Sequence, residues 1–570
     1  MTFRRSPILS RLPQHLFGVM ALSLLVNGVG WSQVYVDQSA TGANNGTSWA
    51  NAYTDLQAAL AATSSGDIWV ANGTYKPGTT QSSTFALKSN VKIYGGFAGG
   101  ETQLSDRDVG DNHCILSGDL SGNDPVITDN AFRVVTSNNT NSAAQLDGFT
   151  ITAGLANGAG LITTFGGNQT VRNCTFVGNG GNIPPKGGGA YLGDGSPVFI
   201  GCSFVDNVAQ SGGGVYVENA FPTFVNCKFI GNTASIASSG SGYGGGLVAA
   251  GTGGVTLLNC TFSANVAQAF AGAAGRASSQ FFVIRDCTFS KNEAQSVISS
   301  GGGGLDIVNS PIPTYIRNST FWGNFDAFGD ANQDTEILGI SGADIDYCCI
   351  QGFTGGGNNI TTNPNLADVD GLDNALGTPD DNLQVTFGSS IIDVANDAAL
   401  PADTFDLDGD SNTTEAIPFD IAGNPRDVNG DQHVASISDM SAYEFGKCQT
   451  DVGYDGPGHL ELSLCGDDLA TTGSTATLLI SGATFVNQQI ILVTSFGVNL
   501  TSYNGGLSTL VPDLAPPNFI YSYFFNANSN LEVTFPLNGG IHNVTHVYMQ
   551  AVGAGSPKIV SNAIDVRIGN

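Results

Sequence analysis

Histidine, positive charge and long apolar runs are all scarce in this chain, and each scarcity excludes something. None of the 6 His lies between His113 and His433, so the long middle of the chain has no place for a Ser-His-Asp triad or a His-ligated metal. Lys and Arg number 19 against 48 Asp and Glu, a net charge of −29. A surface that acidic repels nucleic acid and anionic membranes, and no nucleic-acid partner is expected. Charged residues make up only 12% of the chain, so its polarity comes largely from Asn, Ser, Thr and Gly. The apolar run over 16–26 follows Arg4, Arg5 and Arg11 and precedes small residues around Gly30-Trp31-Ser32. That is the pattern of a secretory signal, too short for a comfortable membrane span; a retained anchor is the alternative. Removal of residues 1–32 would leave 16 Lys and Arg against 48 acids, a net charge of −32. No second such run follows, so no transmembrane segment is expected after signal removal, and the mature chain is expected outside a bacterial cell or on its surface.

What the chain does have is a repeat. Phe-x-x-Asn recurs six times, each two residues after a Cys or Ser: Cys174, Cys202, Cys227, Cys260, Cys287 and Ser319 head the copies, 28, 25, 33, 27 and 32 residues apart. A repeat of that length with strand-like residues predicts stacked coils of a parallel β-helix. Three residues before each head stands a large apolar residue (Val171, Phe199, Phe224, Leu257, Ile284, Ile316), which points inward. The residue just before the head is Asn173, Gly201, Asn226, Asn259, Asp286 or Asn318. Strict alternation would bury it, so the parity breaks there, and Asn, Asp and Gly are the residues that accept a left-handed corner. A second corner is expected at the Asn of Phe-x-x-Asn, with Asn ladders bonded from coil to coil about 4.8 Å apart.

The other half of each coil carries a glycine cluster: Gly187-Gly188-Gly189, Gly212-Gly213-Gly214, Gly244-Gly245-Gly246 and Gly302-Gly303-Gly304, with a degraded fifth copy read as Gly272-Ala273-Ala274-Gly275. Apolar strand residues follow rather than a helix, so these predict tight turns and close backbone approach, not a phosphate cradle. Paired with Phe-x-x-Asn over residues 150–330, they resemble the repeat of chlamydial-type polymorphic outer membrane proteins, a branch of the pectin-lyase-like right-handed β-helices. Upstream, Val34-Tyr35-Val36-Asp37, Trp49-Ala50-Asn51-Ala52 and Ile93-Tyr94-Gly95-Gly96-Phe97 resemble secreted bacterial members of that superfamily. Downstream, Asp439-Met440-Ser441-Ala442-Tyr443-Glu444-Phe445 resembles the closing segment of choice-of-anchor β-helix proteins. No large membrane β-barrel segment like that which ends the chlamydial members is expected from these residues.

Five of the 10 Cys share one inward position that Ser319 fills in the sixth coil, so buried free thiols are expected there. One of Cys348-Cys349 should continue that column, and Cys448 could pair with Cys465. The helix expected from Thr54 or Asp55 to Ala62 would cover the open end of the stack. The fold class predicted is all-β: residues 1–32 a signal peptide, 33–447 a right-handed parallel β-helix of about twelve coils with irregular Asp/Gly-rich final coils, and 448–570 a small antiparallel β-sandwich.

Chemistry is harder to find. Asp406-x-Asp408-Gly409-Asp410 and Asp427-x-Asn429-Gly430-Asp431 space oxygen ligands two apart, as a calcium loop does, although neither keeps EF-hand spacing. Solvated turns are the alternative, as for the looser Asp368-x-Asp370-Gly371-x-Asp373. The outward Arg285 and Arg317 are neighbours in the stack and are candidates to contact an anionic sugar. A lyase of the superfamily would need a strong base and calcium-binding acids on one face, and a glycosidase would need a clustered carboxylate pair. The expectation is an exported structural, adhesive or glycan-binding protein that needs no cofactor, with calcium a candidate and a polysaccharide or cell-surface component as partner. The alternative is a polysaccharide-degrading enzyme or its degenerate relative.

Overall fold

The computed structural model describes residues 33–180, 186–235, 242–276, 281–296, 301–308, 314–329, 332–371, 373–386, 389–426 and 437–445, and, beyond these, strands between residues 448 and 568. Residues 1–32, with the expected signal, lie outside the described residues.

The coils stack into three long parallel sheets of 11, 10 and 9 strands and a short fourth of 5. One coil shows the circuit. Thr223–Val225 lies in the first sheet, Lys228–Ile230 in the second, Thr233–Ala234 in the fourth and Leu247–Ala250 in the third. The longest sheet has eleven rungs, from Val34–Val36 to Ala343–Asp346, one fewer than the repeat count suggested.

Register keeps like residues in columns. Phe176, Phe204, Phe229, Phe262, Phe289 and Phe321 stack with ring centroids 4.3–5.0 Å apart and planes within 10°. Each is fully buried, which contributes roughly 2–3 kcal/mol per ring. The register also aligns Cys114, Phe149, the five repeat cysteines, Ser319 and Cys348 in one column. All these cysteines are free and buried, and burial pushes the thiols of Cys174 and Cys348 up to about 12. From Cys174 to Cys348 the column holds small side chains and no bond, while the earlier rung takes Phe149. Cys349 faces the other way, into a second apolar cluster with Ile391 and Met440.

Both corners are left-handed. At the first, Asn173, Gly201, Asn226, Asn259, Asp286 and Asn318 have φ between 48° and 60°, as the broken parity predicts. The second lies one residue earlier than predicted. Gly178, Asp206, Gly231, Ala264, Lys291 and Gly323 take the positive φ, and the Asn that follows turns its amide inward. The reason is the ladder. Asn179, Asn207, Asn232, Asn265 and Asn292 each donate Nδ2 to the Oδ1 of the next coil's Asn at 2.7–3.0 Å, and that same Oδ1 accepts their backbone N–H. A side chain committed to that geometry is free for inward use only if its neighbour makes the turn.

The glycine clusters turn where close approach demands it. A Cβ on Gly245 would stand 2.4 Å from the Gly272 carbonyl oxygen and 2.7 Å from both backbone N and O of Val266. Register corrects the degraded copy to Ala271-Gly272-Ala273, one residue earlier than the sequence reading, and adds Gly158-Ala159-Gly160 upstream. In every copy from Gly188 to Gly303 the middle residue is Gly.

The helix Leu56–Ala62, capped by the Asp55 carboxylate on Gln57 N–H, puts Leu56, Ala59 and Leu60 into the main core at its first rungs. The Asp/Gly-rich stretch after the coils first adds a parallel bridge, Cys349 to Ile360, to the last rung. It then folds back along the outside of the stack. Asn396 bonds Asn318, the Ala399 carbonyl accepts from Arg285, and the Phe405 carbonyl accepts from Arg172. The chain then returns: Phe419 meets Asn259, Ala442 meets Thr288 and Met440 meets Thr320. Phe405, Leu407 and Ile417 pack on the outward Ile200, Val225 and Leu258.

Beyond residue 447 the described strands pair antiparallel. Cys448–Gln449, Glu461–Gly466, Thr475–Ser481 and Asn530–Pro536 form one sheet, and Phe519–Phe524, Gln489–Ser495, Thr545–Gly553 and Val560–Ile568 another. Cys448 is registered opposite Cys465.

Candidate functional site

The predicted acidic loop is real as a loop. Asp403 N–H donates to the Glu415 carbonyl at 2.7 Å and Ile417 N–H to that of Pro401 at 2.9 Å, closing residues 403–415 at their base. Inside it Asp406, Asp408 and Asp410 bring one carboxylate oxygen each within 4.8 Å of one another, as their spacing predicts. A second set, Asp403, Asp408 and Glu415, meets the same limit and shares Asp408. Glu415 stands above the usual carboxylate range, raised by desolvation and by Asp410, Asp408 and Asp403. Asp403 was missed in the sequence because it lies off the two-residue spacing; only the closure of the loop brings it in. Asp427, Asn429 and Asp431 lie outside the described residues.

The arginine column is engaged by the chain itself. Arg285 Nη1 donates to the Ala399 carbonyl at 2.9 Å, and Arg317 pairs with Asp344 at 2.9 Å. Neither guanidinium is brought together with the acidic loop by any contact among the described residues.

Under the return segment lies a buried ionic group. Arg426, 1% exposed, donates to the carbonyls of Ser441 and Ala442 and to Asn259 Oδ1, and stands 3.6 Å from Glu444. Burial pushes Asp439 up to about 7, and burial with Asp439 alongside raises Glu444 against the pull of Arg426. The closing motif therefore acts here as a clasp: Asp439 accepts the N–H groups of Asp393 and Phe445 at 2.8 and 2.6 Å. The upstream motifs also meet, Tyr35, Trp49, Trp69 and Phe97 forming one aromatic cluster over the first rungs.

The third sheet carries a group that the glycine-cluster motifs stop just short of. Tyr191 and Tyr216 are register partners pointing outward, with ring centroids 5.8 Å apart and planes 8° from parallel. Lys186 lies over the Tyr216 ring at 4.6 Å and pairs with Glu218 at 2.8 Å, while the Tyr191 hydroxyl donates to Glu218. Burial would lower Lys186, but the Glu218 bond holds it above its ordinary value; burial would raise Glu218, but Lys186 and Tyr191 hold it below. Both side chains keep about a third of their surface, 35% and 30%. Tyr191 and Tyr216 each stand two residues after the glycine cluster of their coil, and register brings Lys186 and Glu218 to them.

On the second sheet, Lys228 stands below its ordinary value through burial, with Asp420 pulling the other way. A cavity of about 70 Å³ beside Asn130, Thr152 and Gly178 has room for about two waters, and a sugar ring does not fit.

The family model of the right-handed β-helix region matches residues 159–366. The coils described above are therefore a right-handed parallel β-helix. Among solved structures, the pectate lyase Pel9A aligns at 16% identity over 72% of this chain and 96% of its own, with a TM-score of 0.41. The enzymatically active domain of tailspike protein 4 of bacteriophage CBA120 aligns at 12% identity over 88% of this chain and 64% of its own, with a TM-score of 0.23. A search of curated proteins found no match.

Proposed function

We propose that this chain is an exported, surface-displayed β-helix that binds a polysaccharide or another cell-surface component along its outer faces and does not cleave it. The observation that carries this reading is the half-buried Tyr191 with the partly exposed Lys186–Glu218 ion pair, backed by the buried Tyr216 ring. A phenolic hydroxyl, an ammonium and a carboxylate on a rigid sheet are a set of donors and acceptors suited to sugar hydroxyls. Surface display rests on the secretory pattern at residues 1–32 and on the resemblance of the repeat to polymorphic outer membrane proteins; a C-terminal sandwich would then serve as anchor or second binding module.

The test is co-pelleting of the mature protein with insoluble pectins, alginates and sulfated glycans, with and without calcium, while new unsaturated or reducing ends are recorded. Binding without product is expected, weakened roughly tenfold or more by Y191A or E218A. Turnover would overturn the reading.

A second reading, a polysaccharide lyase or a relative that has lost turnover, is favoured by Lys228. Its depressed pKa is what a base abstracting a proton beside a uronate carboxylate requires. Release of unsaturated products that K228A abolishes would establish it.

A further inference from the structure

We infer that the closed loop 403–415 is a calcium site, with Asp403, Asp408 and Glu415 as its principal ligands, and that the ion pins the return segment to the stack. Two oxygens on one calcium ion, each about 2.4 Å from it, stand at most about 4.8 Å apart; the three carboxylates bring an oxygen each within 4.8 Å of one another. Asp406 and Asp410 flank them through the shared Asp408.

The observation that points to a ligand is Asp403 itself. It is 0% exposed, yet only its Oδ2 has a partner, Leu407 N–H at 2.7 Å; Oδ1 is buried with none among the described residues. Glu415 repeats the arrangement: Oε2 accepts from Asn412 Nδ2 at 2.7 Å, and Oε1 is buried without a hydrogen-bond partner. A buried carboxylate oxygen without a donor is costly; Asp403 and Glu415 each carry one and each bring a carboxylate oxygen within 4.8 Å of Asp408, an arrangement that fits a cation between the three. An all-oxygen, all-anionic ligand set selects a hard divalent ion, and the irregular loop suits calcium better than the strict octahedron of magnesium. The consequence is mechanical. The same loop carries Phe405 and Leu407, and Ile417 follows its closure; all three pack on the outward face of the first sheet, so an ion that orders the loop holds the segment down.

Full-length protein stripped with a chelator is titrated with calcium chloride by calorimetry, alongside D408N, E415Q and D403N, with D111N as a control outside the loop. Asp408 is exposed, so D408N tests the site even if D403N fails to fold. One calcium per chain is expected, with affinity falling at least tenfold in D408N and E415Q and unchanged in D111N. Calcium should raise the melting temperature of the parent by several degrees and leave those two variants unmoved. No uptake, uptake indifferent to these substitutions, or equal affinity for magnesium would overturn the assignment.

Discussion

An asparagine ladder needs an end, and Glu336 supplies it. It stands in the column of Gly304, where its carboxyl replaces the amide that the next coil does not bring: Asn324 donates its backbone N–H to Oε1 at 3.2 Å and Nδ2 to Oε2 at 2.5 Å. The side chain is fully buried, and burial raises its pKa to about 8 despite those donors. An acid raised in the folded state contributes stability that is fully present below the unfolded value of about 4.3 and is lost as pH rises through 8. In the preceding coil a single oxygen, Asn324 Oδ1, already accepts both donors of Asn292, so a glutamine at 336 should accept both of Asn324's. E336Q should therefore melt with the parent at pH 5 and above it at pH 9, whereas E336A strands two buried donors and loses about 2–4 kcal/mol. Calorimetric melting across that range checks both, and an E336Q that melts lower at pH 9 would contradict the capping role. Within the ladder, Asn265 accepts two bonds from Asn232 and donates to Phe229 O and Asn292 Oδ1. Loss of the amide in N265A should cost about 3–5 kcal/mol in urea unfolding, well beyond a surface change.

Among the elements, the turn into the third sheet is the tightest. Ala271 and Ala273 fill the first and third positions in one copy and Ala159 the middle position in the copy upstream, but from Gly188 through Gly303 the middle position is glycine held between backbones. G245A, with three backbone atoms at 2.4–2.7 Å from the added Cβ, should thus destabilise by about 3 kcal/mol or more, and G246A, with one at 2.7 Å, by less, a contrast readable in parallel denaturation curves. The columns were legible in the sequence because each rung repeats one residue type: a Phe stack, a small inward thiol and a left-handed corner leave the same mark six times. The second corner was misplaced by one residue because Gly178, Asp206, Ala264 and Lys291 share no chemistry, only φ. The return segment left its motifs in the sequence but no mark of where it docks. Its partners are 114 residues away for Arg285–Ala399 and 233 for Arg172–Phe405, and what they offer is a backbone carbonyl, which any residue carries. Of the candidate site, the two-residue spacing of Asp406, Asp408 and Asp410 was readable, and a Tyr two residues after the glycine cluster recurs in two coils, while Asp403 and the Lys186–Glu218 pair depend on loop closure and register.

The whole stack is a rod of eleven rungs, roughly 48 Å between its first and last at about 4.8 Å each. Its N-terminal end is covered by Leu56–Ala62, its last rungs carry Glu336, and its side is clasped by the return segment. That closure concentrates carboxyl groups where water is excluded. Burial pushes Asp286 up to about 6, Asp439 to about 7 and Glu336 to about 8. Each contributes stability that fades as pH rises through those values. In the other direction, Asp119 and Glu101 are held below their ordinary values, against the burial that would raise them, by backbone N–H groups of Asn123 and Gly122 and of Gly100 and Ala98. Their contribution is present above the unfolded carboxylate range, about pH 4, and is lost as pH falls through their folded values. The melting temperature should therefore peak near pH 5 and fall steadily to pH 9. The net charge of −29 pushes the same way, since self-repulsion grows as carboxylates ionise. Salt separates the two causes: at 1 M ionic strength the screening length is about 3 Å, which removes long-range repulsion and leaves buried groups largely untouched. A fall between pH 5 and 9 that persists in 1 M salt and is partly flattened by E336Q is the signature of the buried carboxyls, and a profile that goes flat in salt would assign the effect to surface charge alone.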